Sequence, residues 1–129
     1  MNLKNVMYGL FVMCAMAIVG CKAKSADLIV KKWKATDLSG ERMTAMSDSM
    51  RKVVLDNITI EFTKDGKYTT ASGGSGDNGT YTISDDGKNL TMTSVSGRPA
   101  ENSTIEDITN SKLVLIEKTS GTKITLEAK

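Results

Sequence analysis

The sequence predicts an all-β fold: an eight-stranded antiparallel up-and-down meander closing into a small barrel, with one short helix between strands 1 and 2. Three observations carry this. From Trp33 to the C-terminus, short stretches place apolar residues at every second position, the period of a half-buried strand. Glycine-containing turn signals separate them at hairpin spacing. One segment alone switches to a period of three to four residues, the mark of an amphipathic helix. Consecutive hairpins suit up-and-down order, and closure removes exposed strand edges; a two-sheet sandwich is the alternative.

The first strand runs near Trp33 to Leu38. In the segment Met43 to Val54, Met43, Met46, Met50 and Val53/Val54 recur at helical spacing, so a helix is expected from about Thr44 to Leu55. Its methionine stripe reads first as the face packed on the sheet, and alternatively as an adaptable partner groove. Asn57 to Phe62 alternates cleanly, with Ile58, Ile60 and Phe62 on one face. Asp65-Gly66 turns the chain into Lys67–Thr70. A Gly/Ser stretch, Ser72 to Asn78, reads as a flexible loop before Gly79–Ser84. Asp86-Gly87 turns into Asn89–Val95, and the loop 96–102 holds the only proline. Ser103–Ile108, Lys112–Glu117 and Lys123–Glu127 complete the set. Strand parity points Trp33, Ile58, Ile60, Phe62, Tyr68, Tyr81, Ile83, Leu90, Met92, Ile105, Leu113, Leu115, Ile124 and Leu126 inward.

The N-terminal part has a different character. Lys4 precedes an uncharged run from Val6 to Gly20, too short to span a bilayer comfortably and built like a secretory signal. Ile18-Val19-Gly20-Cys21 closes it and resembles the lipobox of bacterial lipoproteins. The resemblance implies removal of residues 1–20, diacylglycerol on the Cys21 sulfur and acylation (palmitate or a similar chain) of the new amino group. Residues 21–30 then form a lipidated basic tether, and 31–129 the barrel domain. Cys14 leaves with the signal, so a disulfide to Cys21 is disfavoured. By resemblance to proteobacterial sorting rules, Lys22 after the cysteine implies the outer membrane, with the domain facing the periplasm. Lys22, Lys24, Lys31, Lys32 and Lys34 lie close to the anchor, either as a solvated tether or as a patch for anionic headgroups.

Composition excludes several chemistries. Without residues 1–20 the chain has 109 residues, 16 basic and 15 acidic, enough for one small domain and without the basic face that nucleic acid requires. It contains no histidine, which removes imidazole bases and the usual zinc sites. No catalytic set, metal site or cofactor is expected, and the chain is read as not an enzyme.

The order Trp33 … Phe62-Thr63-Lys64-Asp65-Gly66-Lys67-Tyr68 … Gly79-Thr80-Tyr81-Thr82-Ile83 … Asp86-Gly87-Lys88-Asn89-Leu90 … Leu113-Val114-Leu115 resembles the lipocalin-like domains of Bacteroidetes lipoproteins. A Gly-x-Trp opening is absent, since Lys31-Lys32 precede Trp33. The resemblance implies an envelope lipoprotein whose barrel binds a small apolar ligand. Trp33, Ile60, Phe62, Tyr68, Tyr81 and Met92 are the candidate contacts. Trp33 and the two tyrosines read first as core, Trp33 closing one end of the barrel. The alternative is a structural or protein-interaction module with a barrel filled by its own side chains, since eight strands enclose room for either.

Overall fold

The computed structural model describes residues 24–40 and 44–129; the signal segment, Cys21 and Met43 lie outside the described residues. A helix α1 covers residues 24–29. It is followed by β1 (Lys32–Ser39), α2 (Asp48–Asp56), β2 (Ile58–Phe62), β3 (Lys67–Ser72), β4 (Ser75–Ile83), β5 (Asn89–Ser94), β6 (Glu101–Ile108), β7 (Lys112–Glu117) and β8 (Lys123–Ala128). The strands close in sequence order into an antiparallel barrel, β8 pairing back on β1. The up-and-down meander holds, and no sandwich forms.

Parity holds as well. Trp33, Phe62, Tyr68, Ile83, Leu90, Met92, Ile105, Leu113, Leu115 and Leu126 are buried in one cluster, with Ile58, Ile60, Tyr81 and Ile124 packed against it. Two bulges, at Ala35/Asp37 in β1 and Ile105/Asp107 in β6, let the strands bend around so small a core. They also return Leu38 to the interior, out of simple alternation with Ala35.

Turn chemistry explains the hairpins and corrects one of them. Gly66 and Gly87 take φ of 82° and 72°, and Gly66 N–H closes on the Thr63 carbonyl. The aspartates stay at negative φ, so these are turns ending in one left-handed glycine. The expected flexible loop 72–78 is instead ordered strand. Ser72 pairs with Ser75 across Gly73-Gly74, and the pairing continues to Thr70–Asp77 and Tyr68–Gly79. Both turn glycines have positive φ, as the favoured two-residue hairpin turns allow.

Three further departures concern helices and the tether. α2 starts at Asp48, not Thr44, because the Ser47 hydroxyl accepts the Met50 N–H and caps it there. Its apolar stripe is only partly covered: Met50 and Val53 are 60% and 62% exposed, Met46 and Val54 are half-buried, and Leu55 is the residue of α2 buried in the core. Finally, the segment expected as a tether is folded from residue 24. Ile29 is fully enclosed and Ser25 buried.

Candidate functional site

The two ends of the barrel differ. At one end lie the starts of β1, β3, β5 and β7; α1 crosses it and seals it. The Ser25 hydroxyl donates to the Gly87 carbonyl at 3.2 Å, and the Lys31 ammonium donates to the Asn110 carbonyl at 2.8 Å, tying the strap to two hairpin turns. Beneath it, the Trp33 indole N–H donates to the Ile29 carbonyl at 2.9 Å, and Lys31 Nζ stands 5.3 Å from the ring centroid, within cation–π range. Trp33, Phe62, Leu90, Leu113 and Leu126 fill the space below with almost no exposure. Among the described residues, this end of the barrel is filled by its own side chains.

Among the described residues, the opposite end holds an opening. A depression of about 220 Å³ is lined by Leu38, Ile60, Met92, Leu115 and Ile124, with Thr70, Glu101, Ser103, Glu117 and Thr122 around them. The apolar residues are the last inward positions before each strand leaves the core. Beyond them the inward positions turn polar, as at the Thr70–Asp77 and Met92–Glu101 pairs. The result is a greasy floor with a hydroxyl and carboxylate rim. Larger hollows of about 540 Å³ and 390 Å³ exist, but they lie outside the barrel. The first is a groove between α2 and β1 with mostly charged walls, among them Lys34, Asp37, Lys52 and Asp56; the second lies between α1 and Tyr81. We take the mouth as the candidate site because its floor is formed by inward-facing apolar residues of the barrel, whereas the two larger hollows lie outside the barrel wall.

Beside the mouth, Tyr68 is buried with its hydroxyl engaged by Asp77 and Ser94. Burial first, then the neighbouring carboxylates of Asp77 and Glu101, pushes its pKa up. Ser94 donates to Asp77 at 2.7 Å, which holds that carboxyl below its usual range with help from Arg98. Ser120 donates to Glu117 Oε2 at 2.6 Å. Among the described residues no group of carboxylates or cysteines is arranged to hold a metal ion.

The six candidate contacts therefore separate. Ile60 and Met92 line the mouth. Trp33 and Phe62 lie in the sealed base. Tyr81 is edge-on to Phe62, centroids 5.0 Å apart, and its hydroxyl donates to the Thr63 carbonyl at 2.7 Å. That bond spends the phenol on the hairpin turn. Tyr68 stands just beneath the rim. The residues missed from sequence are Leu38, Thr70, Glu101, Ser103, Leu115, Glu117, Thr122 and Ile124 as a common lining. Leu115 and Ile124 were legible by parity, whereas Glu101 sits in a segment that reads as loop.

Residues 29–115 match the family model of the lipocalin-like domain. Three solved structures share the fold: a lipocalin-like protein from Bacteroides uniformis (TM-score 0.59, 18% identity, covering 79% of this chain and 99% of that one), a DUF4847 family protein from Bacteroides vulgatus (0.59, 15%, 79% and 94%), and an uncharacterized protein from Bacteroides eggerthii (0.60, 16%, 78% and 99%). No curated protein matches the chain.

Proposed function

Since the chain belongs to the lipocalin-like domain family, we propose that it is a non-catalytic envelope lipoprotein that holds a small apolar ligand in the mouth of its barrel. The single observation that carries the ligand reading is the apolar-floored depression of about 220 Å³ opposite a sealed base. Its volume equals about seven waters at roughly 30 Å³ each, below the 300–1,000 Å³ of drug-sized pockets. The ligand is therefore small, or is a short apolar end of something larger.

The lipobox-like run at Ile18–Cys21 supports the anchor. Two residues, Lys22 and Ala23, separate Cys21 from Lys24, where α1 is first described, and the three steps along the chain reach at most about 11 Å. A diacylglycerol on Cys21, with an acyl chain on its amino group, would hold the closed base against the outer membrane. The mouth would then face the periplasm. Two or more chains suffice for stable anchoring. Metabolic labelling with a fatty-acid analogue tests this: label on the wild type and none on Cys21→Ser is expected, and equal label on both refutes the anchor. Native mass spectrometry of the protein from its own cells tests the ligand, which should appear as an added mass lost on denaturation.

A second reading, a protein-interaction module, is favoured by one observation: Met50 and Val53 are exposed side by side on α2. Persistent absence of any ligand mass would favour it.

A further inference from the structure

The charge around the mouth selects among apolar ligands. Resting on the reading of the mouth as the ligand site, the geometry points to a ligand with a short apolar body and a cationic or hydrogen-bond-donating head, and against fatty-acid-like carboxylates.

The cavity is what makes the site; the carboxylates set its preference. Of the residues lining the depression, the two that carry charge are Glu101 and Glu117, both negative, and none is lysine or arginine. Glu101 stands directly opposite Met92 in the β5–β6 register, on the face that lines the mouth, with its side chain at the exposed rim. A third carboxylate, Asp77, acts with Glu101 on the Tyr68 hydroxyl and adjoins the same rim. Arg98 acts on Asp77, and Lys123 is drawn to Glu106, 2.9 Å away. An apolar chain that enters far enough to cover Met92 and Leu115 leaves its head level with these groups.

An ammonium there offers three donors to carboxylate and hydroxyl acceptors, and its charge opposes theirs. A carboxylate head offers none and meets like charges while losing water, the arrangement by which proteins reject a wrong partner. A neutral alcohol falls between. The apolar floor contributes equally to all three, so the head alone sets the order.

The test uses three probes of one size, each close to the seven water-sized groups the mouth holds: hexan-1-amine (cationic at neutral pH), hexan-1-ol and hexanoate. Each is titrated into the full chain carrying carbon-13 methionine methyls, the Met92 signal being assigned from Met92→Leu and the exposed Met50 methyl serving as control. The expected result is a shift of Met92 without Met50, with the amine at least tenfold tighter than hexanoate and the alcohol intermediate. Tenfold corresponds to about 1.4 kcal/mol. The order should compress at high salt, which screens exposed charge. In the double variant Glu101→Gln with Glu117→Gln the difference between the amine and hexanoate should collapse, with Met92 still shifted by the probes. If the alcohol shifts Met92 but hexanoate binds as tightly as the amine, the selectivity inference is overturned and the mouth remains a binding site. If the order survives in the double variant, its assignment to these two carboxylates is overturned. If none of the probes moves Met92, the mouth reading fails and takes the inference with it.

Discussion

At the residue scale the barrel depends on a few positions where chemistry leaves little choice. A Cβ built on Gly79 would come within 1.9 Å of the Thr93 carbonyl oxygen, so β4 and β5 approach there more closely than any side chain permits. Gly79→Ala must push the strands apart, and a loss of about 1–3 kcal/mol, typical of overpacking, should appear in denaturant unfolding followed by Trp33 fluorescence. Titration gives a second residue-scale prediction. Asp65, Asp77 and Asp86 have pKa values lowered first by hydroxyl donors, from Thr63, Ser94 and Ser84 respectively. Their stabilisation is present above the unfolded carboxylate value of about 3.9 and disappears as pH falls through the lower folded values. Tyr68 has the opposite sign, being raised by burial. Its folded form keeps a proton the unfolded chain loses above about pH 10, so stability falls as pH rises past that point. Thermal melts should be flat between these limits and decline on both sides. Decline at neutral pH would contradict these assignments.

At the element scale the strands were legible because period two and Asp-Gly turns are local signals. The misread parts depend on tertiary contacts. Residues 24–30 read as a tether because of the lysines around them, yet Ile29 is buried and Ser25 reaches Gly87 across 62 positions of sequence. The Gly/Ser stretch reads as loop because its composition has no apolar alternation; pairing with β3 makes it a strand. α2 shows that helical spacing identifies a helix without telling which of its faces is buried. Its apolar stripe at Met50 and Val53 faces outward, and Leu55 carries the contact with the core. Leu55→Ala should therefore cost about 2–4 kcal/mol, whereas Met50→Ser and Val53→Ser should each change stability by less than about 0.5 kcal/mol. Larger losses from Met50→Ser and Val53→Ser than from Leu55→Ala would mean that α2 packs the other way round. The mouth was half legible for a similar reason. Parity finds Ile60, Met92, Leu115 and Ile124, but it does not reveal that Glu101 and Glu117 close the ring at strand ends far apart in sequence.

At the scale of the whole molecule, one asymmetry organises the account. The base is closed by α1, Trp33 and Lys31, at the end where the chain arrives from Cys21. The mouth lies a strand length away, about 17–30 Å for five to nine residues. Under the proposed anchor on Cys21, the seal would face the membrane and the opening the aqueous side. The measurement that bears most directly on this is native mass spectrometry of the protein from its own cells, compared with Ser103→Trp. An indole there would occupy the depression of about 220 Å³ while leaving the base untouched. The account predicts a bound small-molecule mass in the wild type and its loss in the variant, with circular dichroism showing the same fold. A wild type with no bound mass, or a bound mass that survives in the folded variant, would contradict it.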